Sequence, residues 1–129
     1  MSVVQGIGGV FLYANDAAAL AAWYTEKLGL SLKNWGSTHG MKFPSADLEP
    51  AGRNAVTAFA IHQADKPLPE GVRTGRVNFR IRDLEGLVTR LRADGLEVTM
   101  EGDDTYGRFA WVHDPEGNKI ELWEPVAPS

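Results

Sequence analysis

The sequence predicts an α+β fold made of two tandem βαβββ units. The first observation is an internal repeat, because IGGVFLYANDAAALAAWYTEKLGLSL and GRVNFRIRDLEGLVTRLRADGLEV share one plan. Each has a strand, an acidic helix cap, an amphipathic helix, a glycine stop and a further strand. The second observation is that residues 106–125 alternate as two strands around a tight turn. One helix can cover only one face of a four-stranded sheet. The other face therefore stays open unless a second sheet curls over it.

Length and composition fit one ordinary globular domain. The chain has 129 residues, with 43% hydrophobic and 23% charged residues, which is enough to bury a core. We expect a single domain over 1–129. Within it, repeat one covers about 5–65, a linker about 64–74 and repeat two about 75–125.

Composition also excludes several classes of function. The absence of cysteine rules out disulfides, thiolate catalysis and cysteine-ligated zinc. A net charge of −4 without a basic cluster argues against a nucleic-acid partner. No apolar run is long enough to cross a bilayer and no basic leader is visible, so we expect a cytoplasmic protein with no membrane partner.

The first repeat is predicted to begin with a strand over 7–13. Asn15 or Asp16 can cap the following helix, whose apolar residues have helical spacing and which stops at Gly29. Strands are then predicted over 30–35 and within 36–44. A loop is predicted over 45–54, and a strand over 55–63.

The second repeat begins after the stretch ADKPLPEGVRT at 64–74, whose prolines and glycine are typical of a linker. A strand is predicted over 75–82, with Arg76, Asn78 and Arg80 on one face. Asp83 caps a helix that ends at Gly95. A short strand over 96–100 and an acidic loop over 101–104 lead to the final hairpin.

The final hairpin has a turn at DPEGN, 114–118, whose residues suit a tight reversal. If the hairpin closes symmetrically, Trp111 lies opposite Glu121 and Phe109 lies opposite Trp123. The carboxylate then stands among three aromatic rings. This face is either an ordinary solvent-exposed face or the wall of a ligand site, where apolar surface surrounds a few polar groups.

The repeat and the hairpin together resemble the vicinal oxygen chelate superfamily, which includes glyoxalase I, bleomycin-resistance proteins and extradiol dioxygenases. The most specific part of the resemblance is DPEGNKIELWEP, which is similar to the DPxGxxIEL motif at the end of such domains. The resemblance covers nearly the whole chain. It implies that the two units form a partly open mixed-sheet barrel with the helices outside. It also implies a concave interior that binds a metal or a ligand, often in a homodimer.

The metal enzymes that the chain resembles take one ligand from each of four strands. Matching their positions to this sequence places Gly9 at the first, Ala58 at the second, Arg76 at the third and Glu121 at the fourth. A catalytic metal generally needs three protein ligands, so no metal or other cofactor is expected. His62 with Glu121 is a weaker alternative site for a divalent metal.

An ion pair between Arg76 and Glu121 is expected in place of the metal, with charge-assisted hydrogen bonds. Such a pair can be purely structural, or it can present the guanidinium to an anionic or carbonyl ligand.

Three functions stay open at this point. The first is metal-independent binding of a small aromatic or anionic molecule, as the resemblance to bleomycin-resistance proteins implies. The second is a metal-dependent lyase, isomerase or dioxygenase with a rearranged site, and the third is an interaction module with a filled barrel. A homodimer is expected from the resemblance. The predicted ligand-binding residues are Phe11, His62, Arg76, Asn78, Arg80, Trp111, Glu121 and Trp123; no catalytic residue is assigned.

Overall fold

The structure is a computed structural model that describes residues 7–44, 56–71 and 75–126, with the backbone alone for 102–104. The chain divides into two compact units, Met1–Pro69 and Glu70–Ser129, and each is described by itself. The elements are β1 (Gly9–Ala14), α1 (Ala17–Leu28), β2 (Lys33–Asn34), β3 (Thr38–Pro44), β4 (Val56–Gln63), β5 (Arg76–Arg80), α2 (Leu84–Ala93), β6 (Thr99–Asp104), β7 (Gly107–His113) and β8 (Lys119–Pro125).

Both units have the same sheet topology. The strand order is β1-β4-β3-β2 in the first and β5-β8-β7-β6 in the second. In each, the first and last strands of the unit pair in parallel and the remaining neighbours pair antiparallel. The predicted α+β class and the tandem βαβββ order are confirmed.

Helix α1 begins and ends where its capping residues predict. The Asp16 side chain accepts a hydrogen bond from the Ala19 amide, and Gly29 ends the helix in the left-handed region at φ 74°, where glycine is favoured. The helix buries Leu20 and Tyr24, and the Tyr24 ring lies 5.3 Å from that of Phe59. Packing α1 on one sheet face leaves the other face uncovered by the helix.

Helix α2 covers one face of the second sheet in the same way. The Asp83 side chain caps α2 by accepting a hydrogen bond from the Gly86 amide. Unlike Asp16, Asp83 has a left-handed backbone conformation, with φ 60°. Alternation along the strands and the contacts of α2 with β7 and β8 define its buried layer. The fully buried residues of this layer are Leu84, Val88, Leu91, Ala110, Val112, Ile120 and Leu122.

Two strand predictions need correction. The strand predicted over 30–35 is only Lys33–Asn34, because the Leu30 amide bonds to Tyr24 O at the helix end and the Trp35 amide bonds to Thr38 O in the turn. The acidic loop predicted over 101–104 is instead part of β6. This strand is the outermost of its sheet, where charged residues are tolerated because they discourage edge-to-edge pairing.

Two further predictions fall at least partly outside the described ranges. The loop over 45–54 lies wholly outside them, as do 72–74 of the linker. Among the described helices, none has the length and apolar character needed to span a membrane.

Candidate functional site

The face of the second sheet opposite α2 carries most of the predicted site residues. The hairpin register places Trp111 opposite Glu121 and Phe109 opposite Trp123, as the symmetric closure predicts. The parallel pairing of β5 with β8 adds a third column. It places Asn78 beside Glu121 and Arg80 beside Trp123.

Glu121 is the buried carboxylate of this face, with 9% of its surface exposed. The Asn78 Nδ2 donates a hydrogen bond of 2.8 Å to its Oε1. A buried charge is costly unless hydrogen bonds or a counter-charge compensate it. Glu121 is therefore not an ordinary solvent-facing strand residue, which favours the ligand-site interpretation of this face over the solvent-face one.

The expected ion pair exists, but its geometry differs from the expectation. Arg76 Nε lies 3.8 Å from Glu121 Oε2, and the Arg76 side chain is 55% exposed. This separation is too long for a hydrogen bond, and an exposed partner weakens the pair further. The charge-assisted hydrogen bond expected from Arg76 is therefore supplied by Asn78, because Asn78 lies directly beside Glu121 in the sheet.

Three aromatic side chains form a row beside Glu121. The Phe109 ring lies 6.4 Å from the ring of Trp111 and 6.4 Å from that of Trp123, with interplanar angles of 16° and 14°. The Trp123 Nε1 donates to Tyr106 O at 2.8 Å, which fixes that indole. We call Phe109, Trp111 and Trp123 the ring row. Its nearly parallel planes place three apolar rings side by side on one sheet face.

Trp111 has two polar features. Its indole Nε1 is buried and has no hydrogen-bond partner among the residues that the structure describes. The Lys119 Nζ lies 5.4 Å from its ring centroid, within the range of a cation–π interaction. Lys119 was not among the predicted site residues, although its alternation with Glu121 and Trp123 along β8 is a signal that places it on this face.

Arg80 connects this face to a groove of about 370 Å³ at the end of β5 and β8. The groove is lined by Arg80, Ile81, Arg82, Asp83, Glu124 and Pro125. The Glu124 Oε1 accepts from the Leu84 amide at 2.6 Å. This carboxylate therefore supplements the Asp83 cap at the start of α2.

The remaining predicted residues, Phe11 and His62, lie on the open face of the first sheet. Their rings are stacked with centroids 5.5 Å apart, and Tyr13 contacts the same imidazole at 5.6 Å. The His62 Nδ1 lies 2.8 Å from Thr38 Oγ1, a partner the sequence analysis missed because Thr38 and His62 meet only through the β3–β4 register. Phe11 and Tyr13 are 53% and 62% exposed.

Small residues let aromatic rings lie directly on this first sheet. A Cβ built on Gly9 would meet the Phe11 ring at 2.7 Å, and one built on Gly40 would meet the Trp35 ring at 2.6 Å. Any side chain larger than glycine would displace these rings. Trp35, which is 45% exposed, therefore adds a ring to the face that carries Phe11. Strand alternation does not predict this position, because Trp35 lies in the turn after β2.

The four positions matched to metal ligands offer one oxygen donor. When the two repeats are aligned by their helix caps, Asp16 and Asp83, Gly9 is equivalent to Arg76. The strand pair Gly9–Ala58 is then equivalent to the strand pair Arg76–Lys119. By this register, Ala60 rather than Ala58 corresponds to Glu121. The outcome for metal binding is the same, since neither alanine can coordinate.

Within residues 7–44, 56–71 and 75–126, no group of three or more His, Asp or Glu side chains is placed to hold a metal ion. The described donor set therefore falls short of the three protein ligands that a catalytic metal generally needs. His62 and Glu121 belong to different units, and the two-residue metal site stays a prediction.

Solved structures share this fold over almost the full chain. The oxidase ChaP-H2 has a TM-score of 0.69 at 19% identity, covering 99% of this chain and 98% of its own. The antibiotic-binding protein TnmS3 from Streptomyces sp. CB03234 has a TM-score of 0.68 at 20% identity, covering 98% of this chain and 100% of its own. The trypanothione-dependent glyoxalase I of Leishmania major has a TM-score of 0.63 at 18% identity, covering 94% of this chain and 87% of its own.

Sequence comparison gives the family. A search of curated proteins finds no match. The family model described as Glyoxalase/Bleomycin resistance protein/Dioxygenase superfamily matches residues 6–122, which is nearly the whole chain. The chain therefore belongs to the glyoxalase/bleomycin resistance protein/dioxygenase superfamily.

Proposed function

We propose that the protein binds a small aromatic or anionic molecule on the ring-row face of its second sheet, without a metal ion. The observation that carries this proposal is the ring row itself, three nearly parallel rings on the face that holds the compensated Glu121 carboxylate. Aromatic side chains around a few placed polar groups are typical of small-molecule sites. The antibiotic-binding description of TnmS3 agrees with binding as a function of this fold.

Glu121 supports binding rather than metal coordination in this proposal. One of its oxygens accepts from Asn78 and the other faces Arg76. Both oxygens thus have protein partners, and a cation placed there would compete with a guanidinium of the same sign. Arg76 is left exposed enough to meet a ligand's carbonyl or anionic oxygen.

The test is binding of a neutral aromatic probe, naphthalene-2-carboxamide, measured by isothermal titration calorimetry. Trp111→Leu removes a ring of the ring row, and base–aromatic stacking elsewhere is worth about 1–3 kcal/mol per ring. We therefore expect Kd to rise about tenfold or more. Trp23→Leu, on α1 in the other unit, is the matched control and should leave Kd within about twofold. Equal losses in both variants would contradict the proposal, as would failure of the wild-type protein to bind both this probe and the corresponding anion, naphthalene-2-carboxylate.

A metal-dependent lyase, isomerase or dioxygenase is the second candidate. It is favoured by Glu121, which occupies a matched ligand position, and by the likeness of the fold to an oxidase and a glyoxalase I. Mass spectrometry of metal content distinguishes the two, on protein purified without chelator and after incubation with Mn²⁺, Fe²⁺, Ni²⁺ or Zn²⁺. We expect every metal to stay well below one per chain. A stoichiometric metal that Glu121→Gln abolishes would establish the second candidate instead.

A further inference from the structure

The groove at the end of β5 and β8 is lined by two arginines and two carboxylates. Its two carboxylates are already engaged, since Asp83 accepts from the Gly86 amide at 3.1 Å and Glu124 accepts from the Leu84 amide at 2.6 Å. Both amides belong to the first turn of α2, where the helix dipole offsets negative charge. The acidic groups of the groove are thus directed at the helix.

The two arginines of the groove are in the opposite situation. Arg80 and Arg82 are exposed, and within the described part of the chain neither has an ion pair or a side-chain hydrogen bond. Each guanidinium carries five N–H donors in a planar fork suited to a carboxylate or phosphate. The groove therefore presents unused cationic donors.

Arg80 also belongs to the ring-row face. It alternates with Asn78 along β5 and lies beside Trp123 in the sheet, while lining the groove. The backbone here is fixed, since the Ile81 amide bonds to Trp123 O at 2.7 Å. A ligand that contacts Trp123 at the end of the ring row can thus extend past Arg80 into the groove.

We infer that this groove binds the anionic group of the ligand, and that Arg80 and Arg82 make the site selective for anionic over neutral aromatic molecules. The inference rests on the proposed function and narrows its ligand to an aromatic acid. Arg80 is the specificity-determining residue, because it lies on both the groove and the ring-row face. Lys119 and Arg76 contribute less, because neither lines the groove.

The test compares two probes of nearly equal shape, naphthalene-2-carboxylate and its neutral carboxamide, by isothermal titration calorimetry. Hydrogen bonds to a charged group are among the stronger ones in proteins, and a tenfold change in affinity corresponds to about 1.4 kcal/mol. We therefore expect the wild-type protein to bind the carboxylate about tenfold more tightly or better. Arg80→Gln should remove most of that preference, because it should weaken binding of the carboxylate about tenfold or more and binding of the carboxamide much less.

Three further variants complete the test. Arg82→Gln should remove part of the preference, and Arg80→Lys should retain part of it, since lysine keeps the charge and loses the fork. Arg90→Gln, on α2, removes the same charge elsewhere and should leave the preference intact. Circular dichroism checks that each variant is folded.

The outcomes separate this inference from the function on which it rests. If the carboxamide binds and the carboxylate binds no better, the inference is wrong and the proposed function stands. The same conclusion follows if Arg80→Gln and Arg90→Gln weaken carboxylate binding equally, because a general loss of charge then explains the effect. If neither probe binds the wild-type protein, the proposed function fails and the inference is overturned with it.

Discussion

At the scale of single residues, the Glu121 carboxylate is held by an amide more than by a cation. The Asn78 bond is 2.8 Å long, whereas the nearest Arg76 contact is 3.8 Å and comes from a side chain that is 55% exposed. A short bond to a buried carboxylate contributes more than an exposed ion pair. This ordering reverses what the sequence alone suggests, because charge is visible in a sequence and hydrogen-bond geometry is not.

Asn78→Ala should therefore destabilise the protein more than Arg76→Gln. We expect Asn78→Ala to lower the free energy of unfolding by about 1–3 kcal/mol, since it leaves a buried acceptor without its donor. Arg76→Gln should lower it by less than about 1 kcal/mol. Urea denaturation monitored by tryptophan fluorescence measures both.

Asn34→Ala is the matched control for this comparison. Asn34 is exposed on β2, and its replacement should change the free energy of unfolding by no more than about 0.5 kcal/mol. A larger loss for Arg76→Gln than for Asn78→Ala would show that the ion pair, and not the amide, holds Glu121.

At the scale of elements, the two helices have the same type of N-cap in different backbone conformations. Asp16 caps α1 at φ −135°, an ordinary value, whereas Asp83 caps α2 at φ 60°. A left-handed conformation is costly for residues with a Cβ, less so for Asp and Asn, and least for Gly. The Asp83 cap therefore combines a side-chain bond with a backbone conformation that few residues accept.

Alanine substitution should separate these two contributions. Asp16→Ala loses only the cap and should cost about 1 kcal/mol. Asp83→Ala also places alanine in the left-handed region and should cost about 2 kcal/mol. Asp83→Gly should cost less than Asp83→Ala. Thermal unfolding by circular dichroism ranks the three, and equal losses for the two alanine variants would contradict the backbone argument.

Elements with strong local signals were predictable from the sequence. The DPEGN turn and the alternation on either side gave the hairpin register, and Asp114 explains why. Its buried carboxylate accepts from the Glu116 amide, the Asn118 amide and the Asn118 side chain. Such bonds join residues close in sequence, so their chemistry can be recognised without the fold.

Elements whose state depends on position in the sheet were not predictable in the same way. The acidic stretch of β6 has poor strand propensity, yet it is a strand because the neighbouring β7 supplies its hydrogen bonds. The burial of Glu121 likewise depends on β5, which is distant in sequence. Two other contacts were unpredictable for the same reason. Thr38 meets His62 through the pairing of β3 with β4, and Trp35 lies over Gly40 because the chain reverses between β2 and β3.

At the scale of the whole molecule, the first unit exposes large apolar side chains. Phe11, Tyr13 and Trp35 are 53%, 62% and 45% exposed, and Ile7 is 68% exposed. Clustered apolar exposure often marks an interaction surface. We expect a homodimer, as the family resemblance implies, with a mass twice the chain's 14.1 kDa.

Multi-angle light scattering measures this mass directly. At micromolar concentration the expected mass should be found, and it should persist at high salt, because apolar association is not weakened by screening. Ile7→Asp should shift the mass towards that of one chain if this surface is the interface. A wild-type mass of one chain across the accessible concentrations would refute the homodimer.

The position of β8 within its sheet has a consequence for how the protein is made. Among the described strands it is synthesised last, yet it lies between β5 and β7. The Asn78–Glu121 bond spans 43 residues, a long loop to close during folding. During translation, β5 therefore lacks its partner in the sheet until β8 has left the ribosome. Premature termination before β8 would remove the middle of the sheet, and such truncated chains would be substrates for quality-control proteases.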